Sequence, residues 1–178
     1  MKKPRDPSAK RRRAAPRRAD AGDHAAEPRL PLWSRPGYLL RRLNQIHYAL
    51  FFEECRRFNV TPVQYGLLTA LLVRGELDQN SLAEELGIDR TNVADVIVRL
   101  AARGLLKRMA NPQDRRAKLT SLTAKGRELT AKAFASMQRS QDRLLAPLSQ
   151  VERDRFMATL VRLIEANNAY GRTVLRMD

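Results

Sequence analysis

Asp78 and Asp89 stand directly before two short apolar-periodic stretches, and Gly87 and Gly104 stand directly after them. An N-cap carboxylate satisfies backbone N–H groups that a first helical turn leaves free, and a glycine past the end accepts a tight turn. The first stretch turns Leu82, Ala83 and Leu86 inward, and the second turns Val93, Val96, Ile97 and Leu100 inward. Two short helices joined by a glycine turn predict a helix-turn-helix. Residues 105–110 and 116–122 then read as strands around the turn Asn111-Pro112-Gln113-Asp114. A basic ribbon directly behind a helix-turn-helix has the sequence form of a DNA-binding wing.

Long helical stretches flank this unit. From Ser34 onward Leu39, Leu43, Ile46 and Leu50 form one stripe and Leu40, His47 and Phe51 form a second, so this helix is expected to pack against more than one neighbour. Thr61-Pro62-Val63-Gln64 is a capping box with proline at the first helical position, and its helix is expected to stop at Gly75. Thr123 caps a long helix to about Ala146. Ser149-Gln150-Val151-Glu152 then opens a last one with Phe156, Leu160, Leu163 and Ile164 on its apolar side. The expected fold is mainly α: a winged helix-turn-helix with a small β-wing, whose long N- and C-terminal helices form a dimerisation region. A homodimer with interlocked terminal helices buries their stripes economically. Residues 1–30, with four prolines and no helical or strand period, read as a disordered basic arm, and residues 31–178 as one domain. Within it, 61–123 form the DNA-binding lobe, and 34–59 and 124–170 the dimerisation helices.

The charge supports this division. The chain of 178 residues carries a formal charge of +15, which favours a polyanionic partner. The arm holds part of it, but from Arg90 to Lys118 there are eight basic residues against only Asp95 and Asp114, so the surplus gathers at the reading head. Outside the core stripe of the second short helix lie Arg90, Thr91, Asn92, Asp95 and Arg99. Such side chains read base edges in a major groove: Asn on adenine, Arg on guanine, Thr on a thymine methyl, Asp on cytosine. The same residues also decorate ordinary helices, and the wing tips the balance. Arg115, Arg116 and Lys118 sit on a ribbon whose tip fits the electronegative minor groove. Asp114 either pins one of these arginines or simply caps the turn.

Asp114-x-Arg116 followed by Leu122-Thr123-x-x-Gly126, and preceded by Asp78-Gln79-x-x-Leu82-Ala83, Arg99-Leu100 and Arg103-Gly104-Leu105, resembles the MarR family of winged helix-turn-helix regulators over about residues 36–170. The resemblance implies a homodimer that represses a nearby gene and releases double-stranded DNA when a small phenolic or aromatic acid binds between its two parts. It maps the DNA contacts onto Thr91, Asn92 and Arg116. Val98 departs from it, since many members carry an acidic residue there. The first two helices, with Pro36-Gly37-Tyr38-Leu39-Leu40-Arg41-Arg42 and Thr61-Pro62-Val63-Gln64-Tyr65, resemble a subgroup associated with aromatic-acid breakdown, which extends the effector class to coenzyme A thioesters. Arg41, Arg42, His47, Phe51 and Tyr65 are then the candidate effector residues, because a carboxylate is held by a cation and a ring by aromatic walls. For any one of these residues the plainer reading, Phe51 and Tyr65 as core and the arginines as solvated, is the stronger.

Other classes fare less well. Cys55 cannot form an internal disulfide, and with only His24 and His47 no metal-binding spacing exists. No cofactor is expected, and the chain reads as cytoplasmic, without a membrane span. Cys55 and His47, the one nucleophile–base pair available to an enzyme, lie eight residues apart on one helix, about 12 Å along its axis and beyond hydrogen-bond reach. Two rivals remain as alternatives: a redox-responsive regulator acting through Cys55, and a nonspecific architectural nucleic-acid-binding protein for which the arm and the charge suffice.

Overall fold

A computed structural model describes residues 31–112 and 117–175. After a 3-10 turn, Pro31–Ser34, come α1 (Pro36–Cys55), α2 (Pro62–Arg74), α3 (Gln79–Leu86), α4 (Arg90–Ala102), β1 (Leu106–Ala110), β2 (Lys118–Leu122), α5 (Ala124–Leu145) and α6 (Gln150–Asn167). The arm expected over residues 1–30 and the turn residues Gln113, Asp114, Arg115 and Arg116 lie outside the described residues.

The helix starts follow their caps. Thr61 and Gln64 exchange the two hydrogen bonds of a capping box at α2, 3.1 and 3.2 Å long. Asp78 accepts the Asn80 and Ser81 N–H groups and the Ser81 hydroxyl. Asp89 accepts from the Asn92 N–H. At α6 the Glu152 carboxylate accepts from both the N–H and the hydroxyl of Ser149. Two boundaries differ from expectation. Ser34 does not open α1, because its hydroxyl donates to Pro31 O within the preceding turn and Pro36 takes the first helical position. Leu105 does not join β1, because its N–H donates back to Leu100 O and its carbonyl accepts from Thr123. β2 likewise starts at Lys118 rather than at 116.

The core sits among α2, α3 and α4. Leu67, Leu68, Leu71, Leu82, Val93, Ile97 and Leu100 are fully buried there, and Leu105, Leu106 and Leu122 close it from the ribbon side. Each such side chain contributes about 1.5–3 kcal/mol by leaving water. β1 and β2 pair antiparallel from Leu106↔Leu122 to Ala110↔Lys118. Leu77 adds a third strand position by exchanging two backbone hydrogen bonds with Thr120, which ties the ribbon to the entrance of α3.

The flanking helices are less complete. α1 lies along α5, and its end is fastened by Glu54 to Arg139 and Arg143 (2.9 and 2.8 Å) and by Glu53 to Arg143. The second neighbour expected for α1 is met at its C-terminal end, where Phe51 packs against Tyr65 of α2 with ring centroids 6.2 Å apart. Leu39, Leu40 and Ile46 stay 41–51% exposed. α6 buries no residue at all, and its Leu163 and Ile164 face outward.

One junction fixes α5 to the end of α4. The Thr123 hydroxyl donates to Gly104 O and accepts the Gly126 N–H, while the Thr123 N–H donates to Leu105 O. Gly126 is pressed so closely on Leu105 that a Cβ would fall inside the van der Waals shell of its carbonyl oxygen. Gly126→Ala is therefore expected to lower stability in urea unfolding by about 1–3 kcal/mol. Gly37→Ala, whose Cβ meets open space, should cost nothing. Equal midpoints for the two variants would contradict this packing.

The Asp78 cap makes a second prediction. Its carboxyl is held below the ordinary aspartate range, chiefly by the N–H that Ser81 donates. As pH falls the unfolded chain takes up that proton first. The contribution is thus full above the ordinary aspartate pKa and is lost as pH drops through the lowered folded value. Unfolding midpoints measured against pH should show a shallower acid limb in Asp78→Asn, whose amide retains an acceptor but does not titrate. Superimposable limbs would rule the effect out.

Candidate nucleic-acid interface

α4 buries Val93, Ile97 and Leu100, so its opposite face carries Thr91, Asp95 and Val98 to solvent. Thr91 and Asp95 are one turn apart and project side by side. Val98, 59% exposed, adds an apolar side chain to this face. Asn92 is exposed, but its side-chain amide donates to the carboxylate of Asp89 (2.9 Å), so it stiffens the cap as well as facing outward. Arg90 opens the helix, exposed, with its main-chain carbonyl accepting from Gln79 Nε2. Arg99 lies at the edge of the outward face, turned toward a cleft beside the end of α1.

The ribbon brings further cations to the same side. Residues opposite each other in the ladder share a face, so Arg108 and Lys118 project with Leu106 and Leu122. Beyond the apolar end of the ribbon, this face turns toward the start of α3. There Arg90, Arg108 and Lys118 surround a polar depression of about 250 Å³ together with Asp78, Gln79 and Asn80. The structure thus joins two sequence-predicted residues, Arg90 and Lys118, and adds Arg108, which the alternation of β1 would have flagged. Arg115 and Arg116 lie outside the described residues.

A short tail buttresses the turn between α3 and α4. Arg172 pairs with Asp89 (3.1 Å), the Thr173 hydroxyl donates to Ile88 O, and Leu175 packs against Gly87. Asp89 consequently caps α4, receives the Asn92 amide and holds Arg172. Its carboxyl is held below the ordinary range, first by the Asn92 N–H.

The candidate effector residues divide into two groups. His47, Phe51 and Tyr65 form a continuous run of rings, with centroids 6.3 and 6.2 Å apart. Phe51 and Tyr65 are core, 1% and 6% exposed. Burial lowers the pKa of His47, which favours the neutral imidazole. His47 also borders a cavity of about 280 Å³ with Leu43, Asn44, Gln141 and Phe156. Arg41 and Arg42 do not line that cavity. Arg41 stacks on Tyr38, 5.3 Å from its centroid, and Arg42 donates to Gln45, both at the exposed surface. Cys55 is 1% exposed, and burial followed by the charge of Glu54 pushes its thiol pKa up, which disfavours the reactive thiolate. No helix among the described residues is long and apolar enough to cross a membrane.

Known proteins share this arrangement. Residues 60–118, from the start of α2 through the ribbon, match the family model described as MarR family. The PcaV transcriptional regulator of Streptomyces coelicolor, solved with its natural ligand, is 34% identical; the match covers 78% of this chain and 98% of PcaV, with a TM-score of 0.70. Bordetella bronchiseptica BpsR, whose DNA binding is regulated by 6-hydroxynicotinic acid, is 31% identical over 73% of this chain and 93% of BpsR, with a TM-score of 0.71. The transcriptional repressor CouR, solved on a 23-mer DNA duplex, is 32% identical over 74% of this chain and 94% of CouR, with a TM-score of 0.70. With its capped helix pair, its ribbon and near full-length likeness to these regulators, the chain belongs to the MarR family of transcriptional regulators.

Proposed function

We propose that the protein is a homodimeric repressor that holds a pseudo-palindromic operator and releases it when a small aromatic or phenolic acid, or its coenzyme A thioester, binds. The observation that carries this reading is the convergence of Arg90, Arg108 and Lys118 beside the outward face of α4. Thr91, Asn92, Asp95 and Arg99 would address base edges in the major groove, Lys118 and Arg108 the backbone, and Arg115 and Arg116 the minor groove. The lobe from 61 to 123 docks on DNA, and the helices before and after it dimerise. CouR on its duplex supports the docking, PcaV with its natural ligand supports a small-molecule effector, and BpsR supports an acidic one. The reading assigns the chain no catalytic step.

A two-fold dimer sets its reading helices in successive major grooves, about 34 Å apart. Competition at physiological salt should therefore favour a palindromic promoter fragment over random duplex by about 10³-fold or more. Arg116→Ala should weaken binding to every duplex and reduce the salt slope by about one unit. Equal affinity for both duplexes would leave a nonspecific binder instead, and an unchanged slope would remove Arg116 from the contact.

The dimer reading rests on the unburied apolar faces of α1 and α6, where Leu39, Leu40, Ile46, Leu163 and Ile164 all remain more than 40% exposed. Sedimentation equilibrium should give a dimer for the native chain and a monomer for Leu163→Glu combined with Ile46→Glu. A monomeric native chain would end this part of the proposal. The buried Cys55 thiol lends a redox switch no support.

A further inference from the structure

Three consecutive positions of the α3–α4 turn are gripped by the tail that follows α6. A 3-10 turn, Asn168–Tyr170, leads into this tail. The Asn168 amide closes it into a loop, donating to Leu175 O (2.8 Å) and accepting the Leu175 N–H (2.9 Å) as a backbone partner would. So closed, the loop sets Leu175 against Gly87, the Thr173 hydroxyl on Ile88 O (3.0 Å) and Arg172 on Asp89 (3.1 Å). The last of these contacts brings a guanidinium to the residue before Arg90, where α4 begins. Stability does not require it. The Arg172 side chain is 82% exposed, and an ion pair so open to solvent contributes little. Asp89 is also satisfied without it, since Asn92 supplies both its N–H and its side-chain amide.

Among the described residues Asp89 is the one acceptor that Arg172 meets, and it occupies a single N–H of the guanidinium. The other donors are left for an acceptor outside the chain. Around the start of α4, Arg90 already joins Arg108 and Lys118 of the ribbon at the polar depression. Arg172 brings a further cation to this end of the helix, from a part of the chain that otherwise belongs to the dimerisation helices. It also offsets the Asp89 carboxylate, which alone would repel a phosphate. A recognition helix enters the major groove by its N-terminal residues, so the sugar–phosphate strands that border the groove pass close to that end. Phosphate oxygens accept from arginine in charge-assisted pairs, which fix register without reading sequence. We propose that the tail after α6 is a DNA-contacting element in addition to α4 and the wing, with Arg172 donating to a backbone phosphate at the start of α4. The proposal rests on the docking of α4 in the major groove and adds to it a residue well beyond the lobe from 61 to 123.

Fluorescence anisotropy of the full chain, titrated at several salt concentrations onto a duplex that it selects from a random pool, tests this. Arg172→Gln should weaken binding about fivefold for each bound protomer at about 150 mM salt and lower the salt slope by about one unit per protomer. Arg172→Lys, which keeps the charge, should retain the slope. Arg155→Gln removes the same charge from the exposed surface of α6, about 18 Å back along the helix from Asn167, and should change neither quantity. An Arg172→Gln effect no larger than that of Arg155→Gln reduces it to net charge and overturns the contact. Affinity lost at an unchanged slope overturns it too, leaving the tail only a support of the turn. Arg90→Gln separates these results from failure of the docking itself. A slope lowered by Arg90→Gln but not by Arg172→Gln overturns the tail contact alone, and a slope that neither variant changes overturns both. Because the Arg172 side chain is mostly exposed, folding withstands its loss, which thermal unfolding of each variant verifies.

Discussion

The Thr123 side chain joins the end of α4 to the start of α5. Its hydroxyl receives the free N–H of Gly126 at the start of α5 and donates to the carbonyl of Gly104, the residue that releases the backbone from α4. Lys125 reinforces the contact by donating to Arg103 O. Because Gly126 lets the two backbones touch, α5 begins directly on Leu105, just past the end of α4, and not at a side chain's distance. Position and orientation of α4 are thereby passed to α5, and through the Glu54 ion pairs to α1.

Much of this was legible in the sequence because it depends on local chemistry. Asp78, Asp89, Thr61 and Thr123 each satisfy backbone groups within three residues of themselves, and Gly87 and Gly104 adopt φ of +62° and +71°, so their roles follow from residue type and order. The inward residues of α3 and α4 followed from helical period for the same reason. What escaped was long-range. Nothing near Arg103 in sequence announces that it reaches Phe58 and Asn59, over forty positions earlier. The cleft it borders was invisible for that reason. Arg41 and Arg42 carry charge near aromatic residues, but charge on an exposed helix face does not reveal whether a cavity lies beneath it.

The two faces of α4 show how sequence economy shapes the unit. A helix of 13 residues must hold a core, present an outward face and anchor a loop. Val93, Ile97 and Leu100 meet the first demand. Thr91, Asp95 and Val98 leave the second face small and chemically mixed, with one donor–acceptor, one acceptor and one apolar side chain. Arg99 and Arg103 occupy the margin, where α4 meets the end of α1. Positive charge is thus displaced from the centre of the outward face to its borders, where Arg90, Arg108 and Lys118 also lie.

The attachment of residues 172–175 to the α3–α4 turn has a mechanical consequence. α6 has 18 residues and is about 27 Å long. It follows the turn at Pro147 at one end and is tied at the other, through Arg172, Thr173 and Leu175, to the backbone from which α4 starts. A rod of that length swung by about 5° carries its far end about 2.4 Å, close to half the rise of a helical turn. Small rotations at one end of the molecule therefore become displacements at the other that are large on the scale of a hydrogen bond.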